Sequence, residues 1–196
     1  MRQIRGIMRL SEDNIKEGDM ELIVLNKELK KKYSNDILML MKLCDNDFVP
    51  PMSKRFSPFQ SELGHSENES ESGILHYHSA MMNESVICIV ENGTLLGFVT
   101  YVENYINQTV ITDKDLPNIY VCTLIVNPSA RGRGLTMVMY DHLFYEKYTD
   151  RNLFTRTWST NRAHISILKK YGFHEIHRIE NDRGEGIDTV YFGKRR

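Results

Sequence analysis

The sequence predicts an α/β (α+β) fold, with a mixed, mostly antiparallel central sheet of about seven strands flanked by helices in one domain spanning 1–196. Three observations carry that prediction. The run Ile119 to Val126 is rich in Val, Ile, Tyr and Thr, as a buried central strand requires, and passes through Arg131-Gly132-Arg133-Gly134 into a helical pattern. Residues Ser85 to Tyr105 hold two apolar runs around Asn92-Gly93, the strongest short hairpin signal. A second strand, helix and strand series follows from Leu153 onward.

Taken in order, Met1 to Asp19 is polar and reads as a loose arm, and Glu21 to Leu25 is a plausible first strand. Ser34 or Asn35 is placed to cap a helix carrying Ile37, Leu38, Met41 and Leu43, which Asp47 to Pro51 ends. Ser61 to Ser72 is acidic and serine-rich, too polar to bury apolar surface, and reads as a mobile loop. Ile74 to Met82 forms a second helix, and the hairpin pairs Val86 to Val90 with Leu96 to Val102. Asn107 to Pro117 is a polar connector to the central strand, which Asn127-Pro128 stops. Leu135, Val138, Met139 and Leu143 then share one helical face. Leu153 to Trp158 is a strand, Ser159-Thr160-Asn161 starts a helix, and Gly172-Phe173 ends it. His174 to Glu180 and Asp188 to Phe192 close the sheet.

Glycines between a strand and a helix let the backbone approach a ligand, and the free N–H groups of the first helical turn favour an anion. A pyrophosphate suits such a loop. The run from Val126 to Thr136 resembles the acetyl-CoA signature of the GCN5-related N-acetyltransferases (GNAT family), with Thr136 standing where the pattern has a small residue. Asn161 to Phe173 is similar to the family's second CoA-contacting motif, and the two motifs together define a CoA-binding core over 119–173. The resemblance implies a GNAT-like acyl-CoA N-acyltransferase fold and an acetyl-CoA-dependent N-acetyltransferase. It implies direct attack of a primary amine, on a small molecule or a peptide, without a covalent enzyme intermediate. It places the N–H that polarises the thioester at Leu124 and further cofactor contacts at Ile125, Val126, Arg131, Gly132, Arg133, Gly134, Leu135, Thr136, Asn161 and Leu168.

Many family members carry an acidic tyrosine where this chain has Leu168, so His164 or Tyr171 is the substitute acid. Some carry a basic glutamate where this chain has Tyr120, and Glu103 is the better carboxylate candidate for a base. The missing tyrosine also admits a second reading, a catalytically impaired CoA-binding module of the same fold. A dinucleotide-binding domain does not fit, because Met137 stands where the third glycine is needed.

Composition narrows the partners. A formal net charge of -1 gives no general electrostatic grip on nucleic acid or anionic membrane. No apolar run approaches the ~20 residues of a spanning helix. Cys44, Cys88 and Cys122 are odd in number and far apart, which argues for reduced thiols in a cytoplasmic protein and against a metal site. Cys122, two residues from Leu124, reads as an inert core thiol on the same strand face. The acceptor is set by Tyr33 to Met82, where Asp45, Asp47 and Glu62 suit a cationic amine. Exposed strand edges of such a sheet allow a homodimer.

Overall fold

The computed structural model describes residues 7–8, 20–63 and 71–196. Its elements are β1 (Ile7–Met8), β2 (Met20–Val24), α1 (Lys27–Leu43), α2 (Glu71–Met81), β3 (Ser85–Glu91), β4 (Thr94–Glu103), β5 (Asn118–Val126), α3 (Leu135–Asp141), β6 (Asn152–Trp158), α4 (Arg162–Lys170), β7 (His174–Ile179) and β8 (Thr189–Lys194). Apart from β1, the expected N-terminal arm lies outside the described residues, as does most of the expected loop 61–72. The sheet runs β1-β2-β3-β4-β5-β6-β8-β7; β1 with β2 and β5 with β6 are parallel and the other pairs antiparallel. The predicted mixed sheet is present, with seven strands of five residues or more and the two-residue β1 at its edge.

One side of the sheet packs against α1 and α2, where Tyr33, Ile37, Met41, Tyr77 and Met81 bury Val86, Cys88, Phe98 and Ile125. The other side packs against α3, the helical turn His142–Lys147 that continues it, and α4, through Ile87, Val99, Ile119 and Val121 against Leu135, Met139, Leu143 and Leu168. The first helix starts earlier than predicted. Asn26, not Ser34 or Asn35, is its N-cap, its side chain accepting from the Leu29 N–H at 2.9 Å. The run Lys27 to Lys32 favours a helix by propensity yet carries a single apolar residue, so periodicity hides the first turns. In the β3–β4 hairpin, Asn92 and Gly93 both have positive φ, 50° and 75°, matching the twist a two-residue turn needs.

Backbone packing holds α2 against the turn Met52–Lys54, where a Cβ on Gly73 would stand 1.9 Å from the Ser53 carbonyl oxygen. Neither backbone can yield cheaply. Gly73→Ala is expected to destabilise the fold by about 1–3 kcal/mol through overpacking, measured as a lower denaturation midpoint with little change in slope.

Candidate active site

Strands β5 and β6 pair from Asn118 with Asn152 up to Val121 with Thr155, and then part, although β5 continues to Val126 and β6 to Trp158. A bulge drives the parting. Tyr101 faces Val121 and Val99 faces Leu124, so Cys122 and Thr123 together oppose the single residue Thr100. The Thr123 N–H turns to the Thr100 hydroxyl at 3.1 Å, and the extra residue bends β5 away from β6. The Thr155 hydroxyl donates to the Val121 carbonyl at 3.0 Å and closes the base of the gap.

The bulge also changes which side chains share a face. Val121 and Leu124 both face the α3 and α4 side, whereas Cys122 packs with Tyr120 and Val102 on the opposite side. The expectation that Cys122 shares a face with Leu124 is therefore incorrect, because strict alternation fails across an inserted residue. Cys122 is only partly buried and lines the gap between β5 and β6; burial pushes its thiol well up, as an inert thiol requires.

The gap is a cleft of about 430 Å³, lined along β5 by Val121 to Val126 in part, along β6 by Thr155 to Trp158, and by Arg131, Thr136, Asn161 and His164. Its polar backbone follows from the ladder. The Asn127 N–H donates to the Leu96 carbonyl at 2.8 Å, which makes that facing pair hydrogen-bonded. Antiparallel pairs alternate, and the register Phe98 with Ile125 and Val99 with Leu124 makes Ile125 the next bonded residue. The N–H and C=O groups of Leu124 and Val126 consequently point away from β4, into the gap. The Arg131 guanidinium donates to the Val126 carbonyl at 3.3 Å, consistent with a carbonyl not engaged by β4.

At the mouth, Gly132 and Gly134 both have φ +79°, and a Cβ at either would have no atom within 4 Å. The backbone there is open toward whatever the loop holds. Gly134 is the N-cap of α3, and its carbonyl accepts from Met137 and Val138. Thr136 lines the cleft, while Leu135 is buried in the core. The two loop arginines are engaged elsewhere: Arg131 pairs with Asp47 at 2.5 Å across the cleft mouth, and Arg133 forks onto Glu91. Asn161 lines the cleft but caps α4, accepting from the His164 N–H and donating to the Thr157 hydroxyl. Leu168, 0% exposed, faces the core and does not line the cleft.

Of the acid and base candidates, only His164 borders the cleft. Tyr171 donates to Asp141 at 2.7 Å and to the Met137 carbonyl, which turns it into the α3 side of the core. Tyr120 is 1% exposed in an aromatic cluster with Tyr105 and Phe59. Glu103 sits at the end of β4, where it accepts from the Tyr148 hydroxyl. His164 bonds the Tyr140 hydroxyl at 2.7 Å, and burial pushes its imidazole down to about 4. It is neutral at physiological pH and unsuited to donate a proton there. Because its folded pKa is lowered, its contribution to stability is present above the free-histidine pKa of about 6.5 and lost as pH falls toward 4. His164→Gln is expected to flatten that loss, compared by urea unfolding at pH 4.5 and 7.5.

A different carboxylate stands beside the bulge. Glu84 is 4% exposed, and among the described residues neither carboxylate oxygen has a hydrogen-bond partner. Burial raises its carboxyl to about 7, and the Thr100 hydroxyl, the Cys122 thiol and the Lys30 ammonium only temper that rise. Lys30 itself is tied to the Met82 and Glu84 carbonyls at 2.9 and 2.5 Å. Cys122 links Glu84 to the cleft, which it lines.

The acetyltransferase (GNAT) family profile matches residues 50–173. The chain belongs to the GNAT family. Solved structures of similar fold include an N-acetyltransferase of Staphylococcus aureus Mu50, at 16% identity and TM-score 0.62, covering 90% of this chain and 98% of that one. The ribosomal-protein-alanine N-acetyltransferase of Brucella melitensis gives 13% identity and TM-score 0.62 over 89% of this chain and 99% of that one. The yncA protein of Salmonella typhimurium, solved with its cofactor acetyl-CoA, gives 14% identity and TM-score 0.59 over 90% and 93%. At these identities the likeness concerns the fold. No curated protein matches the sequence.

A GNAT member uses acetyl-CoA, and the residues present fit that group: an open glycine cradle, a helix start and inward-facing backbone groups along one wall of a narrow cleft. Among the described residues, no cluster of His, Cys, Asp or Glu is suited to hold a metal, and no helix is long and apolar enough to cross a membrane. Sequence reasoning missed Glu84 because no motif surrounds it. Its one visible signal is a lone acid immediately before the apolar run Val86 to Val90.

Proposed function

We propose that this GNAT protein transfers the acetyl group of acetyl-CoA to a primary amine of a small molecule or peptide by direct attack. The observation that carries the proposal is the parting of β5 from β6, with the Leu124 and Val126 backbone groups aimed into the gap and the Gly132–Gly134 loop at its mouth. The bound thioester supplies an activated acetyl carbon and a thiolate leaving group. Everything else falls to the chain. The Leu124 N–H donates to the carbonyl oxygen as negative charge builds there, an effect of about 3 kcal/mol for one donor in a known case. Gly132, Gly134 and the first turn of α3 hold the pyrophosphate with N–H groups. Arg131 and Arg133 are near enough to exchange their carboxylate partners for phosphate oxygens. Val126 and Thr136 guide the pantetheine arm.

The attacking amine must be neutral, so a proton leaves it before or during attack. We assign that proton to Glu84, through a water at the bulge beside Cys122. A carboxylate poised near neutral pH accepts protons and returns them to solvent between turnovers, which Glu103 and Tyr120 are not placed to do. The C–S bond breaks as the C–N bond forms, and the thiolate is protonated by solvent at the cleft mouth.

The direct test is calorimetric titration with acetyl-CoA, followed by thiol release on a panel of amines. Micromolar binding with amine-dependent thiol release supports the assignment. Binding without thiol release from any amine would leave a CoA-binding module instead.

A further inference from the structure

The acceptor end of the cleft is cationic inside. Arg156 projects from β6 and lines the cleft next to Trp158. Its guanidinium donates to the Pro58 and Gln60 carbonyls at 2.7 and 2.6 Å and to the Tyr191 hydroxyl. Arg183, 6% exposed in the β7–β8 connection, lies over the Trp158 ring at 5.8 Å and donates to the Val49 carbonyl and the Thr189 hydroxyl. Arg55, also 6% exposed, lies over the Phe48 ring at 5.8 Å and donates to the Pro50 carbonyl. Phe48 and Trp158 touch at 5.6 Å between their centroids and join the three arginines into one neighbourhood.

Three guanidiniums in one partly desolvated region are costly unless anions meet them, since arginine does not give up its proton. Arg55 senses Arg156, and Arg183 senses both Arg55 and Arg156, as like charges; Asp182 offsets part of this at both, and Asp45 does so at Arg55. Among the described residues none of the three forms an ion pair. Their partners are carbonyls and hydroxyls, and among the described residues Nη2 of Arg183 makes no hydrogen bond. Asp182 is the carboxylate closest in sequence, and it accepts from the Thr189 hydroxyl. Two of the three acidic groups that sequence reasoning offered to a cationic amine are committed: Asp45 accepts from the Ser53 N–H and hydroxyl at 2.8 and 2.6 Å, and Asp47 pairs with Arg131.

Resting on the acetyltransferase reading, we propose that the acceptor is a primary amine carrying a carboxylate or a comparable oxyanion, which Arg156, backed by Arg183 and Arg55, holds beside the Phe48–Trp158 pair. Asp45 and Asp182 set two negative charges against three guanidiniums, so an anion supplies the charge still missing, and it accepts from the Arg156 N–H groups not engaged by Pro58, Gln60 and Tyr191. Amino acids are the simplest molecules of this description; polyamines and aminoglycosides are disfavoured.

The test uses matched pairs, an α-amino acid and the amine left by removing its carboxylate, such as phenylalanine with phenethylamine. In thiol-release assays with saturating acetyl-CoA, kcat/KM is expected to be at least tenfold higher for the carboxylate-bearing members. Arg156→Gln should erase most of that difference while leaving acetyl-CoA affinity by calorimetry within threefold. Calorimetry with the N-acetylated products, N-acetyl amino acid against N-acetyl amine, reads the same preference without turnover. Arg156→Lys, which keeps the charge but loses the guanidinium's additional donors, should retain part of the preference and guards against a folding failure of the Gln variant. Preference for the decarboxylated amines or for spermidine, equal binding of the two products, or a preference unchanged in Arg156→Gln would overturn the proposal. Failure to bind acetyl-CoA would instead strike the acetyltransferase reading, and the product-binding arm would still decide whether an anion is recognised.

Discussion

Glu84→Gln is expected to lower kcat by about 10²–10⁴ while making the protein more stable at pH 8. The two effects have one cause. The folded chain raises the Glu84 carboxyl from 4.5 to about 7, so folding favours its protonated form. Its contribution to stability is therefore fully present below pH 4.5 and lost as pH rises through 7. At pH 8 the buried carboxylate costs the fold up to about 3 kcal/mol, by the linkage of roughly 1.4 kcal/mol per pKa unit. Glutamine keeps the shape, carries no charge, and removes that cost. In the wild type, kcat/KM should climb with pH and level off above about 7 as the base ionises. Melting temperatures at pH 5 and 8, with pH–rate profiles for both proteins, separate the possibilities. A variant that is both more stable at pH 8 and nearly inactive identifies a base held at the expense of stability. One with activity within tenfold of wild type and the same pH profile would remove Glu84 from the mechanism.

Gly134→Glu should weaken acetyl-CoA binding by at least ~100-fold with the fold intact. Gly134 has φ +79°, a conformation that costs a side-chain-bearing residue about 1–2 kcal/mol. Nothing within 4 Å of the new Cβ resists it, so the side chain extends into the space at the start of α3. There its carboxylate would meet the pyrophosphate of the proposed acetyl-CoA site, replacing helix-start attraction with like-charge repulsion. Circular dichroism and calorimetry together test it. An affinity within threefold of wild type would show that the loop is not the pyrophosphate site, whatever the rest of the cleft binds.

Much of the architecture was legible because it is written locally. Asn92-Gly93 fixes a hairpin by the φ each residue tolerates, and Asn127-Pro128 ends a strand by removing a donor. Gly132 and Gly134 declare an open backbone before a helix. The start of α1 was less legible, since Asn26 caps a lysine-rich turn with no apolar stripe of its own. The acid and base roles were not legible at all. Tyr171, Tyr120 and Glu103 have suitable chemistry, yet their partners Asp141, Phe59 and Tyr148 draw them away from the cleft.

The sequence by itself determined the order of strands and helices, the glycine loop and the membership in the GNAT family, because these rest on turn chemistry, periodicity and short-range spacing. Tertiary structure alone decided the chemistry of the cleft. One bulged residue in β5 changes which side chains share a face and opens the wall that carries the Leu124 N–H. Burial, which no local pattern encodes, brings Glu84 beside Cys122 and raises its carboxyl. Arg55, Arg156 and Arg183 come from three separate segments and meet only when the β7–β8 connection folds over the end of β6. Charge that reads as a solvated surface along the chain becomes, once desolvated in one place, a demand for an anion.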